Sequence, residues 1–207
     1  MRAIHPAVIA GRPEEIATLA HMTAAYTWDT PIAKWLIPDP SARPAVLSSW
    51  YSLIIEQAIQ YGYADLSGDR RAAAIWMNHT VPIPAPPDYL RRLTADCGPY
   101  TLAILQYERI LQRHRPRNGH AELVLLAADA RTAPQLLAYR HRRLDEAFVP
   151  AHTVAADTAR HGILTDASYQ PASACRLTPN GPTLTVLRRS GTSETPSSLL
   201  AASRAAS

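Results

Sequence analysis

A chain of 207 residues, 47% hydrophobic and 18% charged, is long enough to bury one sizeable core, so neither a disulfide framework nor a structural metal is required. Its two cysteines, Cys97 and Cys175, are isolated, which excludes zinc-ribbon and thioredoxin-type motifs and makes them small buried hydrophobes. The formal charge of +4 is too small and too dispersed for a nucleic-acid binder, and no stretch reaches the roughly 18 apolar residues of a membrane span.

Residues 2–10 read as a short strand stopped at Gly11, without the basic start and long apolar run of a signal peptide, so the expectation is a cytoplasmic protein. Pro13, Glu14 and Glu15 suit a first helical turn, and Ile16, Leu19 and Ala20 repeat at helical spacing, which predicts a helix over 12–25. A short helix over 32–37 follows between proline stops. Ser41 is placed to cap the next helix, whose stripe Leu47, Trp50/Tyr51, Ile54 and Ala58 ends near Gly62. Strands over 63–66 and 72–77, joined by Ser67-Gly68-Asp69-Arg70, make a hairpin. Residues 80–88 carry four prolines and read as an extended connection.

Beyond it, 89–96 forms a short helix, and Tyr100, Ile104, Tyr107 and Leu111 mark a longer one. Residues 120–128 are the most hydrophobic strand, 134–147 is helical, and 149–155 returns as a strand followed by a short helix. A hairpin joins 175–177 to 184–188 across Thr178 to Pro182. The order predicts one mixed α/β domain over 1–190 with a central, partly antiparallel sheet, and a disordered tail over 191–207. The basic clusters 113–117 and 140–143 are expected on solvated faces, and the eight histidines have no metal-ligand spacing.

Several segments carry a family likeness in colinear order: Pro31 to Pro40, Ala74-Ile75-Trp76-Met77, His120 to Ala128, Leu136 to Asp145, Val149-Pro150-Ala151, and Arg176-Leu177 with Pro179 to Pro182. Their succession resembles the GNAT (Gcn5-related N-acetyltransferase) superfamily, particularly its actinobacterial type. The resemblance implies a mostly antiparallel sheet flanked by helices, with acyl-CoA in a V-shaped opening between splayed parallel strands, here 120–128 and 149–155. It implies that the backbone at Leu125, Leu126 and Ala127 orients the thioester, and that the loop after the strand, with Arg131 and Thr132, meets the pyrophosphate.

Two departures accompany the likeness. The loop Asp129-Ala130-Arg131-Thr132-Ala133-Pro134-Gln135 has no glycine, is several residues short and opens on a carboxylate, so it lacks the backbone N–H cradle a pyrophosphate needs. The tyrosine that protonates the leaving thiolate in many relatives is replaced by Leu164 in one register and by Thr158 in another, while Tyr169 reads as a packed aromatic.

Amine acylation needs a base, and the resemblance implies Glu122, acting directly or through water, with His120 at the mouth of the same strand. Their bland readings are a solvated carboxylate and a histidine that holds the preceding loop. Trp28, Asp29, Trp76 and His79 are the expected substrate contacts; for the tryptophans the alternative is packing. The expected function is acyl transfer from an acyl thioester, acetyl-CoA or a carrier-protein thioester, to a small amine, without a metal. A GNAT-fold enzyme repurposed for cyclisation, decarboxylation or dehydration, and a non-catalytic binding protein, remain as alternatives.

Overall fold

The structure is a computed structural model that describes residues 8–191. All but Gly191 of the expected tail over 191–207, and residues 2–7 of the first strand, lie outside the described residues. Among the described residues seven strands form one sheet in the order β1-β2-β3-β4-β5-β7-β6. They are β1 Val8–Ala10, β2 Gly62–Ser67, β3 Ala73–Asn78, β4 Ala121–Ala127, β5 Ala151–Ala155, β6 Gln170–Arg176 and β7 Thr183–Arg189. Among the described residues only β4 and β5 are parallel neighbours.

Seven α-helices among the described residues cover the two faces: α1 Ile16–Thr27, α2 Pro31–Leu36, α3 Arg43–Tyr61, α4 Tyr89–Cys97, α5 Thr101–His114, α6 Ala133–Glu146 and α7 Thr158–Asp166. The helices α1 to α5 pack on one face through Leu19, Leu36, Leu47, Leu93 and Ile104 against Ile75, Met77 and Leu125 of the sheet. Leu136, Leu137 and Leu144 of α6, with Leu164 of α7, pack on the other against Trp76, Leu123 and Leu126. A sheet covered on both faces explains the unbroken apolar runs of β3 and β4. The element order and the antiparallel hairpins follow the sequence reading, with most ends displaced by one or two residues; α1, however, begins at Ile16 rather than 12, after a 3-10 turn over Pro13–Glu15, and β6 runs from Gln170, well before the expected 175.

Three local features depart from it. Ser41 does not cap α3: the cap position is Ala42, and Ser41 instead gives its N–H and hydroxyl to Asp39 Oδ1 (2.8 and 2.7 Å). The turn before α3 is closed by Arg43, whose buried guanidinium donates to the carbonyls of Ile37 (2.8 Å) and Pro38 (3.0 Å). Cys97 is buried as expected, but Cys175 is only half-buried because it lies on the edge strand β6.

Two devices shape the sheet where β4 meets its neighbours. Ile75 pairs with Leu125 but Trp76 pairs with Leu123, so Val124 is an extra residue, a bulge that bends β4. On its other edge β4 pairs with β5 only at Ala121 with Ala151 and Glu122 with His152. Beyond that point the strands part, and Thr153 Oγ1 ties across to the Leu123 carbonyl at 2.7 Å. At the start of the hairpin, a Cβ on Gly62 would lie 2.0 Å from the Trp76 carbonyl oxygen, so only glycine permits that approach.

Candidate active site

The parting of β4 and β5 opens into a cavity of about 470 Å³ on the α1 to α5 face. Trp50 and Tyr51 of α3 and Tyr107 of α5 form an aromatic wall, with Trp50 edge-on to Tyr107 at 5.8 Å between ring centres. Val124, Leu125 and Val154 line the splay, and the proline-rich connection contributes Ile83, Pro84 and Pro86 at the rim. On α5 the half-buried Glu108 accepts hydrogen bonds from Trp50 Nε1 (2.9 Å) and the Tyr89 hydroxyl. Burial pushes its carboxyl above the usual range.

Glu122 projects from β4 into this cavity with its side chain only 5% exposed. Its Oε2 lies 2.9 Å from His79 Nε2, 2.9 Å from Arg115 Nε and 2.8 Å from Arg115 Nη2. Its Oε1 faces His152 Nδ1 at 3.8 Å, longer than a hydrogen bond. Burial opposes ionisation, but the hydrogen bond from His79 and the Arg115 charge outweigh it and hold the carboxyl below its ordinary value. An ionised carboxylate only accepts, so His79 Nε2 carries the hydrogen and a neutral ring keeps its lone pair at Nδ1.

Two further imidazoles flank the pair. His120 stacks on His79 with ring centres 4.9 Å apart and gives Nδ1–H to the Asn118 carbonyl (2.8 Å). Its Nε2 is enclosed without a partner. His152, edge-on to His120 at 5.7 Å, is 1% exposed, and burial pushes its pKa down to about 4, so it is neutral at pH 7. The spacing of histidines along the chain conceals this grouping. In the fold, donor atoms of His79, His120 and Glu122 lie within 4.8 Å of one another, a metal-capable separation. The Arg115 guanidinium already balances the carboxylate charge at that point and would repel a cation.

The remaining sequence-derived candidates scatter. Trp76 is fully exposed to neither solvent nor cavity: it is buried in the opposite core, edge-on to His141 at 5.9 Å. Met77 takes the cavity face instead, because successive strand residues point to opposite sides. Trp28 is 43% exposed and Asp29 pairs with Lys34 on the surface at 2.8 Å; their neighbours Thr27 and Thr30 line the cavity. Leu125 faces the cavity, while Leu126 packs in the opposite core and Ala127 is buried. All three keep the β3 ladder and, beyond Glu122, have no ladder partner on the β5 side.

Arg131 and Thr132 sit at the start of α6, away from the cavity. Asp129 Oδ1 accepts from Arg131 N (3.1 Å), Thr132 N (2.9 Å) and Thr132 Oγ1 (2.8 Å), so the loop's own carboxylate takes those donors. The Thr132 hydroxyl bond, with those backbone bonds, holds this carboxyl below its ordinary value. Tyr169 is 1% exposed and its hydroxyl meets His141 Nε2 at 3.2 Å in the opposite core, as a packed aromatic. The solvated reading of the basic clusters needs correction at Arg115 and at Arg140, which is buried against Asp65 with Nε 2.8 Å from Oδ2.

No protein-family model matches the sequence, and no curated protein matches it significantly. Solved structures do match. A histone acetyltransferase HPA2 and related acetyltransferase from Corynebacterium glutamicum aligns with TM-score 0.66 at 17% identity, covering 93% of this chain and 99% of its own. A Drosophila melanogaster polyamine N-acetyltransferase that forms N-acetylagmatine aligns with TM-score 0.56 at 11% identity, covering 89% and 100%. The C-terminal condensation domain of Ebony, in complex with β-alanyl-dopamine, aligns with TM-score 0.54 at 8% identity, covering 89% and 98%. The seven-stranded, mostly antiparallel sheet with its splayed parallel pair is therefore the GNAT fold, shared with these solved structures.

Proposed function

We propose that the protein is an N-acyltransferase that moves an acyl group from a thioester to a small amine in the β4–β5 cavity. The observation that carries this reading is a buried, ionised Glu122 holding His79 beside a β4 edge that lacks a strand partner. The unpaired edge from Leu125 to Ala127 offers backbone groups to a pantetheine arm. The His79–Glu122 pair offers a proton acceptor next to it, with Glu122 orienting the ring and His79 Nδ1 taking the proton. The amine nitrogen then attacks the thioester carbonyl carbon, the C–S bond breaks, and the sulfur leaves as a thiolate protonated by solvent. Arg115 and His152 position Glu122, and His120 supports His79 by stacking.

The donor is a thioester other than tightly held free CoA, such as a carrier-protein thioester, because Asp129 fills the N–H donors that would meet a pyrophosphate. The same observation favours a second reading, an enzyme of this fold repurposed for cyclisation, decarboxylation or dehydration in specialised biosynthesis. A single domain over 1–190 in the cytoplasm is part of the proposal, and the free thiols of Cys97 and Cys175 are consistent with it. Among the described residues no helix is long and apolar enough to cross a membrane.

The test is thiol release from acetyl-CoA and from an acetyl-pantetheine thioester in the presence of a panel of primary amines. Amine-dependent release supports the proposal; no amine-dependent release from any thioester rejects it.

A further inference from the structure

The fold draws several arginines inward, and most of these find partners. Arg43 donates to main-chain carbonyls, Arg115 to Glu122, Arg140 to Asp65 and Arg189 to Asp145. Arg160, in the first turn of α7, is different. Its side chain lines the cavity, yet among the described residues no carboxylate lies within ion-pair distance of it and no side-chain hydrogen bond satisfies it. Its Nε is enclosed without an acceptor. Asp157, the nearest acidic neighbour in sequence, spends its Oδ1 on capping α7 at the Arg160 backbone N–H (2.7 Å). Tyr51, Tyr107 and Tyr169 are the other titratable groups that act on the guanidinium, and all are phenols. Their hydroxyls neutralise no charge at pH 7.

Arg160 is half-buried, and its enclosed Nε is shut off from solvent and has no protein acceptor, so an anion that enters the cavity recovers the cost of that unmet charge-bearing donor. Besides its polar groups the chamber carries the aromatic and apolar surfaces of Trp50, Tyr51, Tyr107, Val124 and Val154, which suit the carbon skeleton of a small organic anion better than a hydrated inorganic one. A planar fork of N–H donors matches the two oxygens of a carboxylate. We propose that Arg160 is the specificity residue of the cavity and that the substrate it selects carries a carboxylate. That carboxylate belongs either to the acceptor, as in an ω-amino acid, or to the acyl group of the donor, as in a dicarboxylic monothioester. The inference rests on the cavity being the substrate chamber, but binding alone tests it, so it stands or falls separately from acyl transfer.

The experiment is calorimetric titration of the full chain with 4-aminobutyrate as acceptor probe and with the N-acetylcysteamine thioester of succinate as donor probe. Each is paired with its uncharged amide counterpart, and inorganic phosphate serves as the competing anion. Wild type is expected to bind at least one carboxylate probe about 10-fold or more tighter than its amide, and the responding arm identifies the source. Arg160→Gln abolishes that preference, and Arg160→Lys retains part of it, because charge remains while the fork is lost. Thermal melting of the ligand-free Arg160→Gln protein serves as a second readout. An unpaired guanidinium contributes nothing to the empty fold, so its melting temperature stays level or rises. Equal binding of carboxylate and amide, binding of no probe, tighter binding of phosphate, or a preference that survives in Arg160→Gln overturns the assignment.

Discussion

Replacing Glu122 by Gln keeps the side-chain shape and removes the charge on which His79 and Arg115 converge. Two hydrogen bonds of 2.9 Å, from His79 Nε2 and Arg115 Nε, end on Glu122 Oε2, and Arg115 Nη2 adds an ion-pair contact at 2.8 Å. A hydrogen bond to a charged group contributes roughly 1.5–3 kcal/mol when well enclosed. Two effects reduce their sum: Arg115 is 30% exposed, so water compensates part of its loss, and the variant escapes the cost of burying a carboxylate. The expected net destabilisation is about 2–3 kcal/mol at pH 7.5, read by urea unfolding with an unchanged m-value. For a domain of this size that corresponds to a melting temperature lower by about 5–10 °C. In a double-mutant cycle with Arg115→Gln the coupling is about 1–2 kcal/mol. If the variant stays within about 0.5 kcal/mol of wild type and couples to Arg115 by less than that, the buried ion network is not what holds the site, and the reasoning fails.

Acid provides an independent check through His152, whose pKa falls from 6.5 to about 4 in the fold. The unfolded chain takes up a proton that the folded chain refuses, so stability is complete above pH 6.5 and is lost as pH falls toward 4. The loss is about 3 kcal/mol, and His141, pushed down to about 3 by burial, acts in the same direction. Urea unfolding midpoints that stay level between pH 7 and 5 in wild type would contradict this. Asp129→Ala frees the N–H groups of Arg131 and Thr132 and removes a negative charge, so titration with CoA should show binding tighter by severalfold; unchanged affinity would mean the carboxylate is not the obstacle. Trp76→Ala empties a fully buried site in the α6 core and should cost about 3–5 kcal/mol while leaving KM for amine unchanged, whereas a raised KM would return Trp76 to the substrate chamber.

The helices were legible in the sequence because their apolar stripes recur at helical spacing, as with Leu47, Trp50, Ile54 and Ala58 on α3. The faces of the central strands were not. Both sides of β3 are buried, so its run shows no alternation, and nothing local tells that Met77 rather than Trp76 meets the cavity. The bulge at Val124 adds a second obstacle, since it changes the facing residues partway along β4. Glu122 and His79 were legible as candidates by type and by strand. Arg115 and Arg160 were not, because an arginine in a loop or helix reads the same whether solvated or enclosed, and His152 was not, because its strand of five residues does not show which face meets Glu122. An arginine's partner is decided by tertiary structure, as when Arg140 reaches Asp65 across 75 residues of chain. The loop at Asp129 was the reverse case: a carboxylate where glycine is needed already argued against a phosphate cradle, and the hydrogen bonds supply the reason.

The central claim is that the His79–Glu122 pair accepts the proton of an amine attacking a thioester. Its most direct measurement is the rate of amine-dependent thiol release by Glu122→Gln relative to wild type, at a temperature where both are folded. The account predicts amine-dependent release in wild type and a drop of about 10²-fold or more in the variant, mainly in kcat. Wild-type release that persists undiminished in Glu122→Gln, or no release from any thioester, would contradict it.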